Sequence, residues 1–134
     1  MTDAVPGDGL ILVVDDEPAI LDLLRAQLEF ADYRVVTAAS GAEGVAQIRA
    51  RASELRLLVL DAKCPTTHDA LSVLDARREL QLDLPVLVVS GDLQEDAYEQ
   101  LKWPRTGASF RCDFLEKPYR AETLEERVAA LLLE

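Results

Sequence analysis

Carboxylates follow two apolar stretches of this chain. Asp15 and Asp16 come directly after the apolar run 10–14, and Asp61 comes directly after the run 57–60. Uninterrupted apolar runs of this length predict strands buried on both faces, and the carboxyl ends of parallel strands meet at one edge of a sheet. Acids that converge there repel one another unless a cation lies between them, and oxygen ligands favour Mg²⁺. The sequence therefore predicts a magnesium site formed by Asp15, Asp16 and Asp61.

Two later segments are predicted to bring polar side chains to the same edge. The apolar run 86–89 leads into Ser90, and Lys117 closes a more polar strand predicted over 109–115. Right-handed crossovers place the carboxyl ends of all parallel strands on one side of the sheet. We therefore expect Ser90 and Lys117 to lie beside the three carboxylates.

Helical patterns separate these strands. A first helix is predicted over 18–30, because proline suits the first turn and apolar residues recur at helical spacing. Its predicted buried stripe consists of Ile20, Leu24 and Leu28, with Leu23 beside them. A β-branched strand over 33–39 precedes Ser40 and Glu43, which have the spacing of a capping box. This box predicts the start of a second helix.

The second half of the chain continues the alternation. A third helix follows the loop 63–67, and a fourth, short or distorted helix is predicted between Leu93 and Lys102, because Pro104 would end it. A last helix runs from about Arg120 to the C-terminus. Five strands alternating with five helices predict a single doubly wound α/β domain over 10–134, preceded by a flexible leader over 1–9.

Composition limits the classes of function. The 134 residues are 49% hydrophobic and carry a formal net charge of −11, which argues against direct binding of nucleic acid. The two cysteines and one histidine do not form a zinc ligand set. The acidic N-terminal segment does not resemble a signal peptide, and no apolar run is long enough for a membrane span. We expect a cytoplasmic protein with reduced thiols.

The ordered set of polar residues resembles the receiver domain of two-component response regulators. The resemblance extends from about Leu10 to Glu134. The residues that carry it are Asp15, Asp16, Asp61 with the loop 63–65, Ser90 with Gly91, and Lys117 with Pro118. It implies a flavodoxin-like (βα)5 fold whose parallel strands lie in the order 2-1-3-4-5.

This resemblance implies roles in phosphoryl transfer. Asp61 would be the nucleophile that accepts a phosphoryl group from a phosphohistidine, forming an acyl phosphate. Asp16 and Asp61 would bind Mg²⁺ directly, Asp15 would bind it through water, and the backbone carbonyl of Lys63 would add a ligand. The protein would thus catalyse its own phosphorylation and dephosphorylation rather than turn over an external substrate.

The resemblance also implies a response to phosphorylation. Lys117 would pair with a phosphoryl oxygen, and the Ser90 hydroxyl would move to bind another. Phe114 would move with Ser90 as the switch, without the hydroxyl that a tyrosine would carry. The peptide bond between Lys117 and Pro118 is commonly cis in this family.

Partners follow from the same resemblance. A sensor histidine kinase or a histidine phosphotransfer protein would be the phosphodonor. A downstream protein effector would bind the surface around the fourth helix, the fifth strand and the fifth helix, and this surface could also form a homodimer. The chain would be a stand-alone regulator or the receiver part of a longer regulator or hybrid kinase.

Two departures from the family keep other functions open. Lys63 places an ammonium close to the acceptor, and the interval from Ser90 to Lys117, which contains Trp103, is longer than usual. One alternative is a pseudo-receiver that binds partners without phosphorylation. Another is a phosphohydrolase with an aspartate nucleophile, although such enzymes usually have Asp-x-Asp after the first strand, whereas Asp15 and Asp16 are adjacent.

Overall fold

A computed structural model describes residues 9–62, 67–91 and 111–133, with the side chains of 67–69 left out of the description. Several sequence predictions lie outside these residues. They are the leader over 1–8, the loop that contains Lys63, the fourth helix, the Trp103 region and the first residues of the predicted fifth strand.

Five parallel strands form one sheet in the order β2-β1-β3-β4-β5. Their bounds are β1 (Leu10–Val14), β2 (Arg34–Ala38), β3 (Leu55–Asp61), β4 (Val86–Ser90) and β5 (Cys112–Glu116). The order and the parallel direction are those predicted. Because every strand runs the same way, the last residues of β1, β3, β4 and β5 and those that directly follow them share one edge, which we call the carboxyl rim.

Helices lie between the strands and after the last one. Within the described residues they are α1 (Pro18–Phe30), α2 (Gly41–Ala50), α3 (Thr67–Glu79) and α4 (Ala121–Leu133). The last of these, α4, is the helix predicted from about Arg120. None of the helices in the described part of the chain is long and apolar enough to cross a membrane.

Local sequence signals explain where two helices begin. Pro18 occupies the first turn of α1, where the missing N–H costs no hydrogen bond. The Ser40 hydroxyl oxygen accepts a hydrogen bond from the Glu43 N–H at 3.1 Å, and the Glu43 carboxylate accepts one from the Ala39 N–H at 2.8 Å. These reciprocal bonds confirm the predicted capping box at the start of α2.

Apolar side chains cover both faces of the sheet. Alternate residues of β3 divide between the layers: Leu58 and Leu60 pack with α2 and α3, whereas Leu57 and Val59 pack with α1 and α4. The sequence prediction for α1 was wrong at Leu23, which is 49% exposed, while Leu21 is buried with Leu24 and Leu28. A helix that lies on a sheet buries one stripe, and Leu23 falls outside it.

The ladder between β1 and β3 contains one register shift. Leu10 pairs with Leu55, but Ile11 pairs with Leu57, so Arg56 is the extra residue of β3. From Leu57 onwards the pairing is regular. The shift therefore lies at the start of β3, and the part of the strand that leads to Asp61 is in uninterrupted register with β1.

Candidate functional site

Asp61 and Asp15 are the buried carboxylates of the carboxyl rim. Asp61 is the last residue of the central strand β3, pairs with Val89 of β4 and is 9% exposed. Asp15 follows β1 and is 1% exposed. Its backbone N–H donates to the Ala38 carbonyl at 3.1 Å, and its Oδ1 accepts a hydrogen bond from the Glu17 N–H at 3.0 Å. Backbone contacts thus hold both acids at the ends of adjacent strands.

Asp16 completes a group of three acids. One carboxylate oxygen from each of Asp15, Asp16 and Asp61 lies within 4.8 Å of the other two. Asp16 is exposed, so the group has two buried ligands and one that faces solvent. Three convergent oxygen donors with one open side fit a hard divalent cation such as Mg²⁺, which keeps several of its waters. The donor set predicted from the sequence is therefore brought together.

Lys117, which follows β5, contacts both buried acids. Its Nζ lies 3.7 Å from Asp15 Oδ2 and 3.8 Å from Asp61 Oδ1. Its backbone N–H donates to the Ser90 carbonyl at 2.8 Å, and its peptide bond to Pro118 is cis. The ends of β4 and β5 are therefore linked where the ammonium enters the group of acids.

Burial and neighbouring charges together set the pKa of Asp15. Burial is the largest cause that raises this pKa above its ordinary value, and the charges of Asp16 and Glu17 add to it. The backbone hydrogen bond from Glu17 and the charge of Lys117 oppose the rise. Burial, with a contribution from the charge of Asp15, also raises the pKa of Tyr119 to about 12. At Asp15, the charge of Lys117 therefore does not cancel the effect of burial.

Ser90 and Phe114 lie on the same face of the sheet. Phe114 pairs with Val88, and Ser90 follows Val88 by two positions, so strand alternation points their side chains to the same face. Ser90 is 1% exposed, and Phe114 is half-buried against the layer that contains α2 and α3. Next to Ser90, a Cβ added to Gly91 would meet no atom within 4 Å. Among the described residues, there is therefore space for a side chain at position 91.

The structure brings together Asp15, Asp16, Asp61 and Lys117, with Ser90 at the adjoining strand end. Lys63 lies outside the described residues. Sequence reasoning missed Tyr119, which is half-buried near Asp15, because a tyrosine after Lys-Pro carries no signal of what it packs against. It also missed that Asp15 is buried whereas Asp16 is exposed, because nothing in the sequence distinguishes two adjacent aspartates.

Comparison with known proteins agrees with this geometry. The response regulator receiver domain family matches residues 11–129. Response regulator MprA of Mycobacterium ulcerans is 36% identical over 122 residues, which cover 91% of this chain and 49% of that protein. The DNA-binding dual master transcriptional regulator RpaA of Synechocystis is 36% identical over 128 residues, covering 91% of this chain and 48% of that protein. The chain thus spans about half the length of these curated relatives.

A solved structure shows the same fold. A response regulator receiver domain protein from Clostridium thermocellum superimposes with a TM-score of 0.77 at 23% sequence identity, covering 93% of this chain and 94% of that one. At this identity the likeness concerns the fold. The family match over most of the chain means that this protein belongs to the response regulator receiver domain family.

Proposed function

We propose that Asp61 is the phosphoacceptor of a two-component phosphorelay. One observation carries this proposal: Asp61 ends the central strand with Lys117 Nζ at 3.8 Å, in the group of carboxylates formed with Asp15 and Asp16. In the reaction, a carboxylate oxygen of Asp61 attacks the phosphorus of a phosphohistidine. The P–N bond breaks, the imidazole leaves with the bonding electron pair and takes up a proton, and an acyl phosphate forms.

Asp15, Asp16 and Asp61 would hold Mg²⁺, joined by the backbone carbonyl of Lys63. When bound, the ion offsets negative charge on the carboxylates and on the phosphoryl oxygens. The protein supplies the placement: β1 and β3 carry two of the acids to adjacent strand ends, and Asp16 faces solvent beside them. We propose that the space beside Gly91 would leave room for the phosphodonor.

Lys117 and Ser90 would respond to the transferred group. The Lys117 ammonium, already near Asp61, would pair with a phosphoryl oxygen, and the Ser90 hydroxyl would bind another. Phe114 shares a sheet face with Ser90, so a movement of Ser90 would open or close space for the aromatic ring. We propose that this movement alters the surface formed by the segment before β5, by β5 and by α4, where a protein effector or a second copy would bind.

The partners and setting follow from the same function. A sensor histidine kinase or a histidine phosphotransfer protein would supply the phosphoryl group, and the domain over 10–134 would act in the cytoplasm. The relative RpaA is named as DNA-binding, but this chain covers 48% of it. With a net charge of −11, this segment is proposed to act on proteins and not to contact nucleic acid itself.

Intact mass after incubation with acetyl phosphate and Mg²⁺ tests the proposal. We expect one added phosphoryl group on the native protein, none on Asp61→Asn and none without metal. Asp22→Asn, which removes an exposed acid from α1, is the matched control and should be modified normally. If the native protein gains no mass with several phosphodonors, the acceptor role is wrong and the phosphorylation-independent interaction module takes its place.

A further inference from the structure

Phe114 lies in the outermost of the described strands, where only one side of the ladder is paired. The Val86 N–H donates to the Arg111 carbonyl at 3.0 Å, and the Lys117 N–H donates to the Ser90 carbonyl at 2.8 Å. In a parallel ladder alternate residues face the neighbouring strand, so the odd-numbered residues of β5 face β4. The N–H and carbonyl of Phe114 consequently point to the outer edge of the sheet.

Two charged side chains bind that outer edge. The Phe114 N–H donates to Asp113 Oδ1 at 2.8 Å, and the Phe114 carbonyl accepts a hydrogen bond from Arg127 Nη1. Arg127 Nη1 also lies 3.5 Å from Asp113 Oδ1, which closes a ring of contacts around the backbone of Phe114. Arg127 belongs to α4, so the ring ties the last helix to the edge strand at the proposed switch residue.

Opening this ring of contacts costs little free energy. The side chains of Arg127 and Asp113 are 39% and 42% exposed, so water can replace each bond that breaks. The ladder on the other side of β5 does not use the N–H and carbonyl of Phe114. A small displacement of the Phe114 backbone would therefore stretch the contacts to Asp113 and Arg127 while the ladder bonds made by the neighbouring residues remain formed.

We propose that Arg127 is a positioning residue that holds Phe114 in its resting position and so opposes activation of the rim. This inference rests on the proposed function, because it concerns the state of Phe114 that accompanies phosphorylation. If the contact exists in the resting state and is lost in the activated state, removing it favours the activated state. A phosphoryl mimic that binds the activated state then binds more tightly.

Arg127→Gln is the test variant, and beryllofluoride with Mg²⁺ is the probe. We expect the apparent dissociation constant for beryllofluoride to fall about fivefold, the lower end of typical coupling between two sites. Hydrogen exchange of the Phe114 amide should become about tenfold faster, because its surroundings open more often. Arg127→Lys, which keeps a donor for the Phe114 carbonyl, should restore part of both effects.

Two further variants give the controls. Arg49→Gln removes the same charge from an exposed ion pair with Glu79 on the opposite layer, and it should change neither measurement. Asp113→Asn keeps an acceptor for the Phe114 N–H but removes the charge near Arg127, so it should shift beryllofluoride affinity in the same direction by a smaller factor. Asp113→Asn also replaces Arg127→Gln as the test variant if Arg127→Gln folds poorly.

The outcomes separate the two proposals. If the native protein binds beryllofluoride and neither Arg127→Gln nor Asp113→Asn binds it more tightly, Arg127 is structural and the inference is wrong while the acceptor role stands. If the native protein neither binds beryllofluoride nor accepts a phosphoryl group from acetyl phosphate, the proposed function is wrong, and a regulatory role for Arg127 is wrong with it.

Discussion

The central strand β3 and the edge strand β5 deliver opposite charges to the same rim, but they are built differently. Six of the seven residues of β3 are buried and it pairs on both sides, whereas one of the five residues of β5 is buried and it pairs on one side. Asp61 is therefore fixed by the core. Lys117 is placed by a strand whose outer edge is held by side chains from β5 itself and α4. Asp61 therefore ends a strand packed in the core, whereas Lys117 follows a strand with fewer buried residues.

Matched leucine deletions test this difference directly and should give the largest effects. Leu58→Ala in β3 should lower the free energy of unfolding by about 3 kcal/mol, and Leu115→Ala in β5 by about 2 kcal/mol. Leu58 has paired strands on both sides, so the cavity cannot collapse, whereas the surroundings of Leu115 can adjust. Urea unfolding measures both values. Equal losses would show that the edge strand is as firmly packed as the centre.

Removal of the Lys117 charge tests how the two strands share the site. The ammonium lies within 4 Å of oxygens of both Asp15 and Asp61, where it offsets the same charge that Mg²⁺ would offset. Lys117→Gln should therefore tighten Mg²⁺ binding about fivefold, measured by isothermal titration calorimetry. Arg120→Gln, an exposed cation just beyond the rim, is the control for net charge and should have little effect. Weaker binding in Lys117→Gln would mean that Lys117 organises the acids.

The raised pKa of Asp15 predicts that the free energy of unfolding depends on pH. A carboxyl group whose folded pKa lies above its unfolded value favours folding at low pH, and this contribution is lost as the pH rises from about 3.8 through the folded pKa. Without metal, Asp15→Asn should gain stability relative to the native protein as the pH rises, with the largest difference above the folded pKa of Asp15. Asparagine still offers an oxygen to the Glu17 N–H.

Urea unfolding of both proteins in chelator, at several pH values, measures that difference. Exposed Asp22→Asn should give a difference from the native protein that does not grow with pH. A difference between Asp15→Asn and the native protein that stays constant across the same range would show that burial of Asp15 does not cost folding energy.

Substitutions at two glycines should give the smallest changes in the free energy of unfolding. Gly91 lies at the carboxyl rim, and Gly44 lies in the packed layer that contains α2. A Cβ on Gly91 would meet no atom within 4 Å, so Gly91→Ala should change the free energy of unfolding by less than about 0.5 kcal/mol. A Cβ on Gly44 would lie 3.1 Å from side-chain atoms of Val14 and Val73, so Gly44→Ala should cost about 1 kcal/mol. A large loss for Gly91→Ala in thermal unfolding would contradict the space at position 91.

Much of the fold follows from short-range patterns. Buried parallel strands appear as apolar runs, and α1 and α2 begin at a proline and at a capping box, so their positions agree with the prediction to within a residue or two. The buried stripe of α1 was predicted less well. Leu21 and Leu23 are the same residue type, so only packing against the sheet shows that Leu21 is buried and Leu23 is exposed.

The site shows the same limit. Strand ends predicted which polar residues would meet, because parallel direction alone places them at one rim. The buried position of Asp15, the two contacts of Lys117 and the contact of Arg127 with the edge strand were not predictable from the sequence. Each of these features depends on tertiary contacts between residues that are distant in the sequence. The sequence around an arginine on a helix does not indicate which carbonyl or carboxylate it will bind.

The extra residue at the start of β3 has a consequence for insertions and deletions. Because the ladder shifts between Leu10 and Ile11, loss of Arg56 would leave a continuous pairing and keep Asp61 beside Val89 on its present face. Loss of any one residue from Leu57 to Leu60 would instead turn Asp61 to the opposite face of the sheet. The first turn of pairing in β3 can therefore lose one residue without moving Asp61, whereas the stretch from Leu57 to Asp61 cannot.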